Sequence, residues 1–430
     1  MNGAAAQRKA RRYDVAIVGG GLVGASLACA LAPLGLKLAL IEAVSFRAAS
    51  QPSYDDRTLA LSASSCRILQ TLGIWPALQE RATAIREIQV RELDRPGRVI
   101  MDPAELGLDC FGHVVEARAF GAAMSAALSG LTGLELLCPA SVAGIDIGAD
   151  CATVAYTDES GPAAVEAALL VGADGANSFV RQALGIADER FDYGQTAVIC
   201  NVTTEQDHRG RAFETFTPTG PFAVMPHLDG RCGLIWCVAS DDAPRLLELP
   251  EAEFLAQARR RFGGHLGAFL KMGQRSSYPL RLVRAREDVR PRAVLLGNAA
   301  HAIHPVGAQG FNLGLRDAAV LAEVLADELA KELAKELAGP GKGASASGVD
   351  CGRIELLRRY SDWRAPDQDG TVAWSDGLAR VFSNADPLAA AVRTAGLLAH
   401  AFIPPLRRQM AIRAMGFRGR TPRLALGEPL

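Results

Sequence analysis

Tyr13-Asp14-Val15-Ala16-Ile17-Val18-Gly19-Gly20-Gly21-Leu22-Val23-Gly24-Ala25 is the stretch on which the fold turns. Its first half is an apolar run of buried-strand type, and its second half sets glycines at 19, 21 and 24 in a G-x-G-x-x-G array. Small residues from Ala25 to Ala32 continue as a helix, and Leu36–Ile41 forms a second apolar strand that ends at Glu42. Strand, glycine turn, helix and strand within about thirty residues make a βαβ unit. Gly19, Gly21 and Gly24 permit a tight turn and close backbone approach, so a pyrophosphate can rest on the helix N-terminus. Glu42 is placed to accept hydrogen bonds from a ribose hydroxyl, and its charge disfavours a 2′-phosphate there. On these residues alone FAD and NAD are both open.

Outward from this unit the pattern alternates. Asp55–Gly73 reads as helical, with Leu59, Leu61, Ile68, Leu69 and Leu72 on its apolar side. Ile88–Arg91, Leu134–Cys138 and Ala152–Tyr156 read as antiparallel strands interrupted by a helix at Ala119–Leu128. Ala167–Val171 is a buried strand that runs into Gly172-Ala173-Asp174-Gly175. Residues 197–238 are β-rich with a hairpin turn at Leu228–Arg231, Glu251–Phe262 is an amphipathic helix, and Ala293–Leu296 is a last buried strand. A long helix begins near Gly310 and extends through the four-residue repeat of 327–338, read as a solvated extension because its period is not a heptad. The expected organisation is α/β. A discontinuous Rossmann-like FAD-binding domain (13–80, 110–185, 280–340) is interleaved with a β-sheet substrate domain (81–109, 186–279), followed by a linker (339–351) and C-terminal helices (352–430).

The choice of cofactor rests on Gly297–Asp317, which contains Asn298, His304-Pro305, Gly307-Ala308-Gln309-Gly310 and Asn312. This segment resembles the second flavin motif of the class A flavoprotein monooxygenases, with their p-hydroxybenzoate hydroxylase-like fold. Gly172–Asn177 resembles the Asp-Gly motif of the same enzymes. Asp56–Leu61, Gly210–Pro221, Asp229–Trp236 and Tyr278-Pro279-Leu280 are similar to the ubiquinone-biosynthesis hydroxylases, most closely those acting on 2-polyprenyl-6-methoxyphenol. The likeness spans about 14–320 and is looser in the C-terminal helices.

The resemblance implies non-covalent FAD, held by Gly19, Gly21, Gly24 and Glu42 at its ADP half. It also implies Arg57, Arg118, Asp174, Asn298, Gly307, Gln309, Gly310 and Asn312 along the rest of the cofactor. Asn298 stands where the superfamily usually has Asp. The implied reaction takes NAD(P)H and O2, forms a flavin C4a-hydroperoxide and hydroxylates the ring of a polyprenylated phenol. The protein's task is to hold that ring near the peroxide oxygen and to exclude water. His304 and Pro305 are the candidate catalytic residues, His304 being either a structural loop residue or the group that polarises the phenol. Phe213, Phe222, Met225 and Trp236 are candidates for the substrate pocket, with ordinary core packing as the alternative. A same-fold hydroxylase of a small soluble aromatic is the second enzyme reading, and a flavin-binding scaffold without turnover is the third.

Composition limits partners and place. The 430 residues carry 46 Lys+Arg against 47 Asp+Glu, which argues against nucleic acid as a partner. Nine cysteines in no C-x-x-C spacing read as buried thiols of a reducing cytosol. His301 and His304 lack a third ligand nearby, so no metal is expected. No run of residues reaches the roughly 18 apolar positions of a membrane span. Residues 387–427 hold seven arginines and no Asp or Glu, interleaved with Leu, Ile, Met and Phe. That segment reads either as a dock for an anionic membrane or a partner of ubiquinone synthesis, or as packing on the flavin domain. The expected location is cytoplasmic, peripheral on the inner face of the cell membrane. Self-association into a homo-oligomer is open.

Overall fold

Arg11–Val18 is the central strand of a mainly parallel sheet. It pairs with Gly161–Gly172 on one side and Leu38–Ile41 on the other, both in parallel, and the helix Leu22–Leu31 makes the crossover. The chain was described as a computed structural model over residues 11–46, 57–338, 349–383 and 386–430. The sheet continues outward through Ala293–Leu295 beyond Gly161–Gly172 and through Leu134–Leu137 beyond Leu38–Ile41. Strands covered on both faces can be apolar throughout. Val15, Ala16 and Ile17 accordingly have no exposed surface.

A second sheet of nine strands is built on Asp188–Thr204, which pairs with Ser276–Ala285 and with Arg231–Ala239. The order then runs through Gly220–Pro226 and Arg211–Thr217 to Glu87–Glu92 and Arg98–Met101. The helix Glu251–Phe262 covers one face, burying Phe254 and Phe262 against Phe222 and Trp236. A small third sheet joins Thr58–Ser62 and Ala82–Ala84 to Gly112–Glu116.

Two sequence expectations are corrected. The described part of Asp55–Gly73 is not one helix: Thr58–Ser62 is a strand, and the helix starts at Ala63, with the Ser65 N–H donating to the Ser62 hydroxyl as its cap. Leu59 and Leu61 are two apart, which a strand accommodates, and pairing with Gly112–Glu116 decides the conformation. Leu134–Leu137 pairs in parallel rather than antiparallel, because the helix Ala117–Ser129 returns it to the edge of the first sheet. The C-terminal helices are interrupted at Pro404-Pro405: Pro387–Phe402 ends there and Pro404–Ala414 opens, where a missing N–H costs nothing. Asp56 and the linker 339–348 lie outside the described residues.

The C-terminal helix Ile354–Phe382 is tied to the long helix Gly310–Ala338 by buried charge. The Asp317 carboxylate accepts from Arg364 Nε at 2.7 Å, Gln368 Nε2 at 3.1 Å and the Gly297 N–H at 3.2 Å, and His301 Nε2 lies at 2.6 Å. Asp367 accepts from Arg316 Nε and from Arg364 Nη1, both at 2.8 Å. Burial alone would raise the Asp317 carboxyl, but His301 and Arg364 outweigh it and hold it well below the usual carboxylate range. Asp367 is held down in the same way by Arg316 and Arg364. Because both folded values are depressed, this stabilisation is complete above the ordinary carboxyl range and is lost as pH falls through the folded values.

Arg364→Leu is therefore expected to cost roughly 3–5 kcal/mol by stranding two buried carboxylates. Arg281→Ala, which removes the exposed pair with Asp192, should cost less than about 1 kcal/mol. Urea midpoints of the two variants at neutral pH check the contrast, and equal midpoints would refute it.

Candidate active site

A cavity of about 1330 Å³ lies between the carboxyl edge of the parallel sheet and the inner face of the nine-stranded sheet. It exceeds the roughly 300–1,000 Å³ of a pocket for one drug-sized ligand, so it has room for two ligands end to end. Its position outside the carboxyl ends of parallel strands is where open α/β sheets bind ligands.

The glycine turn forms one end. Gly19 has φ +104, and a Cβ there would lie 2.4 Å from the Ala173 carbonyl oxygen; one at Gly24 would lie 2.0 Å from that of Gly19. Only bare backbone fits between these strands. The helix after the turn has no side-chain cap, and Gly21, Leu22 and Val23 line the cavity, so its first N–H groups are available to an anion. Glu42 also lines the cavity, with Oε2 accepting from the Gly20 N–H at 2.7 Å and Oε1 from the Val44 N–H at 2.8 Å. Each oxygen keeps a further acceptor site for a hydroxyl. A dinucleotide fits this end: a cradle for its pyrophosphate and a fixed carboxylate for its ribose.

Along the middle, Arg57, Arg118, Asp174, Asn298 and Gly310 line the wall. Arg118 stands exposed on the first turn of Ala117–Ser129, and Asn298 is exposed in the turn after the last strand. Asp174 braces its own turn, accepting from Ser178 Oγ at 2.5 Å and the Val180 N–H at 3.0 Å. Four residues expected at the cofactor do not line the cavity: Gly24, buried in its helix, and three from the loop before the long helix and from that helix itself. Gln309 donates to the Gly307 and Ala414 carbonyls. Asn312 donates to those of Ala60 and Ala308 and accepts from the Ser62 N–H. Gly307, at φ +69, is backed by the Trp374 ring where a Cβ would be. These three shape the loop from behind.

At the far end Pro305 lines the cavity but His304 does not. His304 has no exposed surface, its Nδ1 accepts from the Val306 N–H at 3.2 Å, and its Nε2 lies 3.2 Å from Gln195 Oε1. Burial pushes the imidazole down to about 4. Polarising a bound phenol would need a contact that this enclosed ring does not offer. Phe213, Phe222 and Trp236 are likewise core residues on the helix-covered face of the sheet. Met225 packs into another cluster and is not on the wall either.

The sheet face that does meet the cavity presents Ile199, Asn201, Ile235, Ser276 and Tyr278. Ile199 pairs with Ile235 and Val198 with Trp236, so alternation separates wall from core one residue at a time. The cavity face mixes Ile199 and Ile235 with Asn201, Ser276 and Tyr278, so no apolar or aromatic run in the sequence marks it. Tyr278 lay in a motif already singled out; Ile199 and Ile235 carried no signal beyond strand periodicity.

Comparison with known proteins agrees with this geometry. Residues 12–338 match the FAD binding domain family. The ubiquinone hydroxylase UbiL of Rhodospirillum rubrum is 39% identical over 97% of this chain and 93% of its own. The 3-demethoxyubiquinol 3-hydroxylase of Escherichia coli is 32% identical over 94% of this chain and 98% of its own. Among solved structures, p-nitrophenol 4-monooxygenase PnpA from Pseudomonas putida superposes with a TM-score of 0.74 at 22% identity, covering 95% of this chain and 100% of that one. At that identity the likeness is one of fold.

Asn298 gives a direct test of the wall. Asn298→Asp should retain FAD, since either side chain offers acceptors to ligand hydroxyls. Asn298→Leu should weaken FAD binding by roughly 1–3 kcal/mol, the cost of leaving those hydroxyls unpaired. Titration of apoprotein with FAD, followed by flavin fluorescence, checks both.

Proposed function

This chain belongs to the FAD binding domain family, in the branch that contains the ubiquinone hydroxylases, and from that premise we propose how its cavity works. The protein is an FAD-dependent aromatic hydroxylase of ubiquinone biosynthesis, and the substrate is a polyprenylated phenol. What carries this reading is the size of the cavity, with a dinucleotide cradle at one end and a sheet wall carrying Ile199, Ile235 and Tyr278 at the other.

Gly19 and Gly21 would hold the pyrophosphate, with Gly24 letting the helix start close against the turn. Glu42 would hold the adenosine ribose and Asn298 the ribityl chain, with Arg57, Arg118 and Asp174 along the path. The N-terminus of Gly310–Ala338 favours negative charge at the edge of the flavin ring that faces it. When bound, FAD supplies electron transfer from NAD(P)H and the activation of O2. The chain's own residues do the rest. Pro305 and the loop to Gly310 set one side of the slot for the aromatic ring, and Ile199, Ile235 and Tyr278 set the other. This wall keeps water from the reacting atoms. NAD(P)H enters transiently through the open side of the same cavity. The test is turnover of the yellow protein with NAD(P)H, labelled dioxygen and a short-chain prenylphenol. One labelled oxygen on the product ring is expected, and a product without label would overturn the assignment.

No helix among the described residues is long and apolar enough to cross a membrane. The C-terminal segment combines both of its expected roles. Leu397 and Met415 pack inward, Arg393 pairs with Glu92, and Arg407 with Glu105. Outward, Leu388 is 75%, Val392 63% and Phe402 79% exposed, and Arg408 and Arg413 are exposed on the following helix. Apolar side chains beside unburied arginines suit an anionic bilayer surface, where a polyprenyl substrate resides. We expect the FAD-loaded protein to float with anionic but not neutral liposomes at low salt, and Val392→Asp with Phe402→Asp to abolish flotation without loss of FAD. Failure of the wild-type protein to float would leave the segment a packing role alone.

A further inference from the structure

Glu214 is an acidic side chain where the fold has no ordinary use for one. It lies mid-strand in Arg211–Thr217, and alternation sends Phe213 into the helix-covered core and Glu214 to the opposite face. Its neighbours on that face, Ala212 and Phe216, belong to an apolar cluster with Val90 and Val306. The Gly307 backbone lies near enough to favour the charged carboxylate, while Oε1 is buried with no hydrogen-bond partner. Among the described residues no Lys, Arg or His forms an ion pair with it. A carboxylate in such surroundings is costly unless something else uses it.

Register connects this group to the cavity. Ile199 pairs with Ile235, Ile235 with Ala223, and Ala223 with Glu214, so the four side chains form one rung on one face of the sheet. Ile199 and Ile235 line the cavity wall, and Glu214 stands two strands beyond Ile235, about 10 Å at the usual strand spacing. Only the methyl of Ala223 intervenes. The loop above the rung is the one whose Pro305, Ala308 and Gly310 face the cavity. Glu214 is not among the residues that line the cavity, but unlike the enclosed His304 it retains some accessible surface.

We propose that Glu214 is the catalytic carboxylate that receives the hydroxyl of the phenol and takes its proton as the ring is oxygenated. This rests on the reading of the protein as a phenol hydroxylase. The O–H bond of the substrate breaks, a bond forms from its hydrogen to a carboxylate oxygen, and the electron pair stays on the ring oxygen and enriches the carbon that attacks. When that carbon sheds its hydrogen as a proton and the ring regains aromaticity, Glu214 returns its proton to the ring oxygen. Burial raises the carboxyl to about 7, opposed by the Gly307 backbone, so it exchanges protons near neutrality. Cys237 feels this carboxylate: its thiol is raised by burial and by the charge of Glu214.

A merely structural Glu214 would hold the loop through the Gly307 backbone, and the Glu214→Gln variant keeps an acceptor for it while losing the base. Both FAD-loaded proteins are to be compared for FAD content, for product per NAD(P)H across pH, and by difference infrared spectroscopy of the oxidised protein on adding a prenylphenol. Glu214→Gln should keep FAD yet lose hydroxylation by about 100-fold or more, releasing peroxide instead. The wild-type rise in product formation with pH near neutrality should be absent from the variant. The prenylphenol should shift a carboxyl band in the wild type that the variant lacks. Product formation by Glu214→Gln within about threefold of wild type at every pH would overturn the proposal, since a general base contributes far more. An unmoved carboxyl band would overturn it too. A wild-type protein whose band shifts but which never hydroxylates a prenylphenol would instead defeat the reading of the reaction on which the assignment rests.

Discussion

Asp317 is the point on which the cavity depends. Its two oxygens gather Arg364, Gln368, His301 and the Gly297 N–H, and so join four separate pieces of chain. Gly297 opens the turn that presents Asn298, His301 precedes the loop with Pro305, and Asp317 lies on the helix that begins at Gly310. Apolar residues of the same volume could supply comparable cohesion, because a buried ion pair is at best a modest source of stability. They could not fix direction. Hydrogen bonds to a carboxylate specify where each donor must lie, and a loop that is mostly backbone needs that specification more than it needs adhesion.

The cradle at the other end obeys a constraint of shape. Val18 is in register with Gly172, which brings the turns after the two strands together, and the Ala173 carbonyl occupies the space a side chain at position 19 would need. The two ends of the cavity thus use opposite means. One is set by the absence of side chains, the other by polar side chains that never reach the cavity.

This difference decides what could be read from the sequence. Gly19, Gly21, Gly24 and Glu42 are local in the chain, and their spacing alone implies the turn, the helix N-terminus and the carboxylate beyond it. Asn298 and Pro305 were found through a motif. The substrate wall was missed because Phe213, Phe222 and Trp236 look like pocket aromatics, yet pack under Glu251–Phe262, while Ile199 and Ile235 one residue away face the cavity. Gln309 and Asn312 were assigned to ligand because they stand in the flavin motif. Their amides are consumed by carbonyls of Ala414 and Ala60, more than a hundred residues off in one case and about 250 in the other. Such contacts are settled by tertiary packing, and no spacing rule reaches that far. Leu59 and Leu61 show the local limit: two leucines suit a helix or a strand until Gly112–Glu116 supplies the edge they pair with.

The packing of Trp374 against Gly307 and of Arg364 on Asp317 has a consequence for how the molecule comes into being. A ribosome works from the N-terminus, and domains form as their residues emerge. Once Gly172 has cleared the exit tunnel, Arg11–Val18 has both parallel neighbours and the glycine cradle can close. The loop from Gly297 to Gly310 cannot be finished then, nor when it has itself been made, because its backing arrives more than fifty residues later. The half-built chain therefore carries a nucleotide grip before it has anywhere to set a reactive ring. The helix Ile354–Phe382 is what completes the chamber, after the grip is already in place.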